Sequence, residues 1–385
     1  MRIALDFSTL DHLQMTAGHY RYVVQLVRGL AAIGGAQNFL LLGSRPGPVD
    51  ELKDLFTPGS CWHYRRLQHW RHRGAIWVDE LAYLRSFLAE RISLLHIVHD
   101  FIPLSARCPV IVTQHDLIEQ LFPEYETTRR DPLYRLHRRR LQERAARVIC
   151  ISQTTADDLA RLWGIGPERS VVVHHGVEEN FFAEPGDDLL QRHPVFKPGT
   201  VLLASPYNLE PRKNLAVLLE AVAVLQRDFP QLKLVLFGRG LVTTERERQF
   251  EMLVGRLRLQ DAIVRLGIVS DAMLKQIYRR ADLFVFPSIY EGFGLPILEA
   301  LATGACVVAS ATSATAEVAG TAAELVDPTD PAKLASAIAA LLRNPERRAE
   351  LRAAGPPRAR QFPVEKMVRR TWETYRGVLE SARPT

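Results

Sequence analysis

The chain has 385 residues, which is more than one hydrophobic core usually supports, so its length predicts two domains. Its 47% hydrophobic and 24% charged residues are ordinary for a soluble globular protein. No stretch of ~20 apolar residues is present, which excludes a membrane-spanning helix. The acids Asp6 and Asp11 stand where a signal peptide needs an apolar run, so we expect a cytoplasmic protein.

The cysteines show no metal-site pattern. Cys61, Cys108, Cys150 and Cys306 are scattered along the chain, without the spacing that metal ligands need. The last three lie beside or within predicted strands, so we interpret them as small core residues. This usage favours a reducing compartment and predicts no metal site.

The net charge of +6 is unevenly placed. Residues 63–73 carry four arginines among aromatic side chains: Arg65, Arg66, Arg71 and Arg73, with Trp62, Tyr64, Trp70 and Trp77. Residues 129–147 carry eight arginines. Both segments could form a basic face for anionic lipid head groups or a charged acceptor, or they could be solvated helix faces. Nucleic acid is not expected, because no recognised nucleic-acid-binding module is present.

The first half alternates strands and helices. Strands are predicted at residues 2–9, 39–42, 94–98, 110–113, 148–151 and 171–173. A turn at residues 16–18 precedes an amphipathic helix at 20–32, and a second helix at 155–162 has Ser152 or Thr154 as its cap. This alternation predicts a parallel, doubly wound sheet.

The same pattern restarts after a polar, proline-bearing stretch at residues 183–199. Strands are predicted at 200–205, 232–237, 262–266, 282–287, 305–309 and 323–326. Helices are predicted at 214–228, 271–280, from Pro296, at 332–342 after the start signal Asp330-Pro331, and at 364–381. We therefore predict an N-terminal domain at 1–182, a C-terminal domain at 183–363, and a final helix at 364–385 that packs back toward the first domain.

Candidate site residues fall directly after predicted strands. Gly18, His115, Arg212 and Glu291 each do so. In open parallel sheets, ligands bind beyond the carboxyl ends of the strands, so this shared position predicts a binding site.

Residues 290–299 carry two glutamates across a glycine-rich turn. We expect Glu291 in a strand-to-helix loop and Glu299 on the first turn of a helix that begins near Pro296. Gly292 and Gly294 let the backbone approach a ligand, and free N–H groups at a helix start favour an anion. The segment suits a ligand with hydroxyls and phosphate, such as a nucleotide sugar. Alternatively, the acids only stabilise the helix dipole.

Residues 208–214 supply positive charge. Arg212 and Lys213 precede a helix that we expect Asn214 to cap, a position suited to a diphosphate. A surface turn with two solvated bases is the alternative. The Gly-x-Gly at Gly238 and Gly240 adds weak support, because no full dinucleotide fingerprint follows it.

The second half of the chain resembles the nucleotide-sugar-binding domain of the retaining glycosyltransferases of family 4. The segments that carry the resemblance are Leu-Glu-Pro-Arg-Lys-Asn-Leu at 209–215, Gly-Ile-Val-Ser-Asp at 267–271, Phe-Pro-Ser-Ile-Tyr-Glu-Gly-Phe-Gly-Leu-Pro-Ile-Leu-Glu-Ala at 286–300, Gly-Ala-Cys-Val-Val-Ala-Ser at 304–310, Glu-Val-Ala-Gly at 317–320 and Val-Asp-Pro at 326–328. The first half is similar more loosely, through Gly18 with Tyr-Arg-Tyr at 20–22, His115-Asp116, Ile151-Ser152 and His175-Gly176-Val177. The resemblance implies the GT-B fold, an α/β architecture of two Rossmann-like domains facing each other across a cleft.

The resemblance also implies roles for individual residues. Glu299 would accept hydrogen bonds from the ribose of the donor, and Glu291 from the donor sugar. Backbone N–H groups at Gly292, Phe293, Gly294 and Leu295 would hold sugar and phosphate. The Ile268-Val269 turn would contact the base.

Other residues would act on the diphosphate and the acceptor. Arg212 and Lys213 would neutralise the diphosphate as a metal ion does in other glycosyltransferase folds, so neither a metal nor a cofactor is expected. Gly18 would approach the phosphate, and His115 would line the sugar and acceptor site. Ala17-Gly18 supplies one glycine where the family often has two, and Pro206-Tyr207-Asn208 replaces a common Gly-Arg pair.

The resemblance is greatest to bacterial mannosyltransferases of surface polysaccharide assembly. It favours GDP-mannose as the donor, with a UDP-sugar possible, and a glycan or lipid-linked acceptor. The basic segments then suggest peripheral contact with an anionic membrane surface, on its inner face. Two alternatives stay open: a sugar-nucleotide epimerase of the same fold, and a non-catalytic binder of lipid or nucleic acid.

Overall fold

The computed structural model describes residues 1–7, 17–35, 37–67, 76–98, 102–122, 124, 132–184, 186, 190, 193–238 and 243–382. The chain forms two compact units, Met1–Gly176 with Val364–Thr385, and Val177–Pro363. The sequence analysis set the boundary a few residues later, at residue 182. Each unit contains its own parallel sheet.

The N-terminal unit is built on a seven-stranded sheet. Its strands are β1 Arg2–Asp6, β2 Asn38–Gly43, β3 Trp62–Arg66, β4 Leu94–Ile97, β5 Val110–Gln114, β6 Ala145–Cys150 and β7 Ser170–Val172. They lie in the order β3-β2-β1-β4-β5-β6-β7, and every pair is parallel. Helices α1 Ala17–Ile33, α2 Ile76–Glu90, α3 Ile118–Leu121, α4 Pro132–Arg144 and α5 Gln153–Trp163 belong to this unit.

Both faces of this sheet are buried. Ile3 and Leu5 belong to one apolar cluster, and the intervening Ala4 belongs to another. Successive side chains of a strand point to opposite faces, so layers of apolar side chains cover the sheet on both sides. Ser152 accepts a hydrogen bond from the Thr155 N–H, which confirms it as the cap of α5.

Strand β3 was missed by the sequence analysis. Its residues were interpreted as the start of a basic, aromatic surface segment. Trp62 is instead buried and stacks on Phe39 of β2, with ring centroids 4.4 Å apart. Arg65 pairs with Glu90 of α2, and Arg66 donates to the Ser44 carbonyl at 3.0 Å. Two consecutive arginines, Arg65 and Arg66, interrupt the alternation of apolar and polar residues in this edge strand and concealed its β pattern. Arg71, Arg73, Trp70 and the Trp77 side chain lie outside the described residues.

The C-terminal unit is built on a six-stranded sheet. Its strands are β8 Val201–Pro206, β9 Leu232–Phe237, β10 Ile263–Gly267, β11 Leu283–Phe286, β12 Val307–Ser310 and β13 Glu324–Val326. Its helices are α6 Leu215–Leu225, α7 Thr244–Leu257, α8 Asp271–Arg280, α9 Leu295–Ala302, α10 Ser313–Ala319, α11 Pro331–Arg343 and α12 Pro345–Ala359. Asp330 caps α11 through the N–H groups of Ala332 and Lys333, which confirms the start signal at Asp330-Pro331.

The strand order of this sheet creates one switch point. The order is β10-β9-β8-β11-β12-β13, so the chain runs outward from β8 in one direction and from β11 in the other. Where the direction of winding reverses, the connections that follow β8 and β11 separate and leave a crevice at the carboxyl ends of the strands. This crevice positions the candidate site.

The final helix, α13 Val364–Ser381, returns to the N-terminal unit. It packs on α1, where a Cβ atom added to Gly29 would overlap the Val368 side chain. Glycine at position 29 is therefore what allows the two helices to approach so closely.

Candidate functional site

The loops after β8 and β11 bring opposite charges together at the switch point. Lys213 Nζ lies 2.6 Å from Glu291 Oε1, and Arg212 Nη1 lies 3.2 Å from Glu291 Oε2. Ser288, at the end of β11, donates its hydroxyl to Glu291 Oε1. The Glu291 N–H donates to Ser313 Oγ at 3.1 Å. The carboxylate and the backbone of Glu291 are thus both fixed from neighbouring loops.

A second buried glutamate also holds Arg212. Glu210 Oε2 accepts a hydrogen bond from Arg212 Nη2 at 2.6 Å, and only 11% of the arginine side chain is exposed. The Ile289 N–H donates to the Arg212 carbonyl at 2.7 Å, which joins the two loops through their backbones as well. Two carboxylates and two cations therefore form one nearly neutral cluster.

Burial and charge act against each other on Glu291. Burial alone would raise its pKa, but the positive charges of Lys213 and Arg212 and the hydrogen bonds from Lys213 and Ser288 outweigh it. The pKa of Glu291 is lowered as a result. The group is a carboxylate at neutral pH, able to accept hydrogen bonds and unable to donate a proton.

Asn214 does not cap α6, which corrects the sequence analysis. Its backbone adopts a left-handed conformation with φ 60°, and its side chain makes no capping hydrogen bond. The side-chain amide instead donates to the Pro287 and Pro328 carbonyls. Asn214 therefore ties the Arg212-Lys213 loop to the ends of two other strands, and asparagine tolerates this conformation better than most residues.

The turn before α9 depends on Gly294. Its φ of 110° lies in a region that side-chain-bearing residues rarely adopt. The turn places the N–H group of Leu295 at the start of α9, where it lacks an intrahelical acceptor, and the next residue, Pro296, has no N–H. Gly292 and Phe293 are buried beside Glu291. This geometry suits an anionic group at the start of the helix.

Glu299 lies one turn further into α9 than expected. The helix begins at Leu295, which puts Glu299 in its second turn. Glu299 is 7% exposed, and its carboxylate accepts a hydrogen bond from the Tyr278 hydroxyl at 3.2 Å. Tyr278, on α8, is itself buried and fixes the orientation of this carboxylate.

Val269 follows β10 in the turn before α8. It is half-buried, and its neighbour Ile268 is 77% exposed. An exposed apolar side chain on a turn at the carboxyl edge of the sheet offers a surface for a flat, apolar group such as a base.

Two predicted site residues lie in the N-terminal unit. Gly18 was expected in a turn, but α1 begins at Ala17, so Gly18 lies in the first helical turn. Thr16 lies outside the described residues. His115 directly follows β5, as expected, and its ring lies 4.2 Å from the His19 ring between centroids.

The arginines of α4 are largely tied into the fold. Arg138 donates to the Leu162 carbonyl at 2.7 Å, and Arg140 to the Pro103 carbonyl at 2.9 Å. Arg139 pairs with Glu143 on the same helix at 2.7 Å. Arg129 and Arg130 lie outside the described residues. Much of the positive charge in this segment therefore anchors α4 to neighbouring loops.

Sequence reasoning missed several residues that support the site. Glu210, Ser288, Tyr278 and Ser313 each hydrogen-bond to a predicted site residue. Glu210 had a visible signal, since it stands two positions before Arg212. Tyr278 had none, because only the folded chain brings α8 beside α9.

The described residues lack two features, a cluster of metal-binding side chains and a membrane-spanning helix. No group of three or more His, Cys, Asp or Glu side chains there is placed to hold a metal ion. None of the helices in the same ranges is long and apolar enough to cross a membrane.

Both halves of the chain match models of known protein families. Residues 17–181 match the sequence model described as Glycosyltransferase Family 4, and residues 189–358 match the one described as Glycosyl transferases group 1. HepE from Anabaena, solved in complex with UDP-glucose, superimposes with a TM-score of 0.77 and 19% identity, over 98% of this chain and 100% of that one. The two sequence matches both describe glycosyltransferases, and the superposition shows that the fold is shared with HepE.

Curated relatives agree with the two domain matches. The O-antigen chain mannosyltransferase B of Escherichia coli is 29% identical over 269 residues, 69% of this chain and 70% of that protein. The phosphatidyl-myo-inositol mannosyltransferase of Mycolicibacterium smegmatis is 34% identical over 236 residues, 59% of this chain and 58% of that protein. The match thus spans less than two thirds of the second relative. The chain belongs to the family 4 glycosyltransferases, enzymes of the GT-B fold.

Proposed function

We propose that the protein is a retaining glycosyltransferase that moves a sugar from a nucleoside-diphosphate sugar to a hydroxyl of a glycan or lipid-linked acceptor. The observation that carries the proposal is the cluster of Glu291, Lys213 and Arg212 at the switch point between β8 and β11. Glu299 follows on the next helix. Carboxylates accept from hydroxyls and the cations bind phosphate, so this set matches both parts of a nucleotide sugar.

The donor would lie along the carboxyl ends of the strands in the C-terminal unit. Glu299 binds the ribose hydroxyls, and Val269 contacts the base. The N–H groups of Gly292, Phe293, Gly294 and Leu295 hold the sugar and the phosphate. The left-handed turn at Gly294 and the buried Tyr278–Glu299 hydrogen bond support these assignments.

The chemistry breaks the bond between the anomeric carbon and the diphosphate oxygen. Positive charge develops on the sugar and negative charge on the leaving diphosphate. Arg212 and Lys213 stabilise the negative charge, so side-chain cations do the work that a metal ion does in other glycosyltransferase folds. The acceptor oxygen bonds to the same face of the anomeric carbon, and its proton passes to the departing phosphate.

Glu291 binds hydroxyls of the donor sugar and is not the nucleophile. Its hydrogen bonds to Lys213, Arg212 and Ser288 spread the negative charge of the carboxylate, which weakens it as an attacking group. The spacing rules for paired carboxylates in glycoside hydrolases do not apply to this assignment.

The N-terminal unit would bind the acceptor. Gly18 approaches the phosphate, and His115 lines the sugar and acceptor site. A lipid-linked acceptor would bring the protein to the inner face of the membrane, where exposed arginines such as Arg135 and Arg139 meet anionic head groups.

GDP-mannose is the favoured donor. The names of both curated relatives describe mannosyltransferases. A UDP-sugar is the second choice, since the Anabaena neighbour was solved with UDP-glucose.

Donor screening with product analysis tests the proposal. Wild-type protein is mixed with GDP-mannose, UDP-glucose and other nucleotide sugars in the presence of a chelator. We then measure the thermal shift, the release of GDP or UDP, and the anomeric configuration of the product by NMR. We expect the sugars of one nucleotide class to stabilise the protein. Their reaction should release the nucleoside diphosphate, and the product should keep the anomeric configuration of the donor.

Glu299→Ala is the decisive variant, with Glu346→Ala on the exposed start of α12 as its matched control. The first should abolish the thermal shift and the second should keep it. An isomerised nucleotide sugar as product would point to an epimerase. A folded wild-type protein that responds to no nucleotide sugar would refute the proposal.

A further inference from the structure

Three histidines and a tyrosine of the N-terminal unit form a compact group at the carboxyl edge of its sheet. His19 and Tyr22 lie on α1, His115 follows β5, and His175 follows β7. The His115 and His175 rings stack with centroids 5.6 Å apart, and the His115 and His19 rings lie 4.2 Å apart. Tyr22 makes edge contacts with His115 at 5.2 Å and with His175 at 4.8 Å. The His115 ring is thus held from three directions.

A buried hydrogen-bond chain lies beneath this group. The Tyr22 hydroxyl lies 3.0 Å from Thr113 Oγ1, which lies 2.8 Å from His96 Nε2. The other ring nitrogen of His96 hydrogen-bonds to the Tyr375 hydroxyl on α13. Thr113 stands two residues before His115. These hydrogen bonds therefore fix the end of β5, from which His115 projects. Such connected polar networks hold their members in one geometry.

His115, His175 and His96 are electrically neutral near pH 7. Burial lowers the pKa of His115 well below its ordinary value, and the neighbouring His19, His175 and His96 lower it further. Burial also lowers the pKa of His175 and that of His96 to about 3. Protonating one ring makes protonation of the next one harder, so the rings titrate as a coupled set.

One ring nitrogen of His115 is left for another molecule. Nε2 is buried and has no hydrogen-bond partner within the part of the chain that the structure describes. A buried polar atom without a hydrogen-bond partner costs the folded state free energy, and a ligand that binds this atom removes the cost. A neutral imidazole nitrogen can accept from or donate to a hydroxyl, depending on its tautomer.

We propose that His175 and His19 are positioning residues for His115, which hold its ring so that Nε2 meets a hydroxyl of a bound sugar. This inference rests on the proposed function. His115 makes the contact with the sugar, and the two flanking rings fix its direction. Neither flanking histidine needs to touch the substrate.

A purely structural aromatic group makes a different prediction. If the rings only filled space, removing the ring at position 175 would lower stability without changing substrate affinity. The proposal requires that removal of the ring also changes the pKa of His115 and the orientation of its ring.

The experiment compares His175→Ala, which removes the stacked ring, with His175→Phe, which keeps a flat ring but loses the nitrogens. His63→Ala, on the exposed face of β3, is the matched control. Histidine-selective ¹⁵N NMR follows the titration of His115, and steady-state kinetics give KM and kcat with the donor and acceptor identified by screening. Circular dichroism verifies folding.

In His175→Ala we expect the pKa of His115 to rise toward its ordinary value, because the ring gains water. KM for the sugar substrate should rise about tenfold, the effect of one misplaced hydrogen bond. His175→Phe should retain most of the affinity, and His63→Ala should match wild type. Should His175→Ala not fold, His19→Ala removes the other flanking ring and should give the same two changes.

A folded His175→Ala protein with an unchanged KM would overturn this inference alone, whatever happens to the titration of His115. Wild-type protein that transfers no sugar from any donor would overturn the proposed function and this inference together.

Discussion

The carboxyl edges of the two sheets have opposite electrostatics. In the C-terminal unit, Glu291 is ionised and bound to Arg212 and Lys213. In the N-terminal unit, His115 and the stacked His175 are neutral, and they lie above a chain of hydrogen bonds between Tyr22, Thr113 and His96. A charged site suits the nucleotide diphosphate, whereas neutral donors and acceptors suit sugar hydroxyls. Under the proposed function, the C-terminal unit would bind the diphosphate and the donor hydroxyls through charged groups, whereas the N-terminal unit would meet a sugar hydroxyl with a neutral ring.

Removing a cation from the charged site should give the largest effect. Lys213→Ala takes away a charge that, in the proposed function, stabilises the leaving diphosphate, so we expect kcat to fall about 10²- to 10³-fold. Lys197→Ala, an exposed lysine of the same unit, is the control and should leave kcat unchanged. Steady-state kinetics with saturating donor measure the difference. An equal loss in both variants, or in neither, would contradict the role of Lys213.

Replacing Glu299 should act on donor affinity. Glu299→Gln keeps the shape of the side chain but weakens its acceptance of ribose hydroxyls, at a cost of about 1.5–3 kcal/mol. We expect the dissociation constant of the nucleotide to rise about 10- to 100-fold by calorimetry. Tyr278→Phe, which removes only the hydroxyl that orients Glu299, should raise it less. A larger effect from Tyr278→Phe would contradict the assignment of Glu299 as the residue that binds the ribose and of Tyr278 as the one that only orients it.

Acid should weaken the two units in different pH ranges. His96, His115 and His175 have lower pKa values folded than unfolded, so the unfolded state binds more protons below about pH 6.5. The stability they contribute is present above that pH and is lost as pH falls, at about 1.4 kcal/mol per pH unit for each group. Glu291 also has a lowered pKa, but its contribution is lost only below the ordinary glutamate range, near pH 4.5.

Hydrogen exchange at pH 7.0 and pH 5.5, read separately for each unit, measures this difference. Protection should fall in β4, β5 and β7 while β8 and β11 keep theirs, after correction for the intrinsic pH dependence of exchange. A larger loss in the C-terminal strands would contradict the electrostatic contrast.

The smallest expected effect is at Asn214. Asn214→Gly keeps the left-handed backbone accessible but loses the two side-chain hydrogen bonds, so we expect a loss of about 1–2 kcal/mol in the free energy of unfolding. Asn214→Ala loses the same bonds and adds backbone strain of about 1 kcal/mol. Urea unfolding of both variants tests the order. If alanine were less destabilising than glycine, the left-handed conformation would not matter.

Local patterns predicted the six strands of the C-terminal unit, because most of them are short, apolar and largely buried. They did not predict helices α7 and α10 of this unit. The helix at 271–280 was predicted with its observed bounds. Errors occurred where tertiary contacts override local signals. Strand β3 carries two consecutive arginines, and the Asn214 side chain donates to the ends of other strands instead of capping its own helix. Helix α12, which the sequence did not indicate, contains Pro356 and Pro357 near its end.

The predicted site residues of the C-terminal unit were also the easier ones to find. Arg212, Lys213 and Glu291 stand in glycine-, proline- and charge-rich segments that carry a family resemblance. Glu210 could have been found from its place two positions before Arg212, whereas Ser288 became visible only as a partner of Glu291. His19 and His175 are far apart in the sequence and are brought to His115 by α1 and β7, so no spacing rule could connect them.

The most direct test of the central claim is a hydrogen-exchange footprint of the wild-type protein with GDP and with UDP. We predict new protection from exchange at the backbone amides of residues 208–214, 267–271 and 290–299, and one nucleotide should produce it more strongly than the other. Protection confined to the arginine-rich helix α4, or no protection at a nucleotide concentration that saturates binding, would contradict a donor site at the β8–β11 switch point.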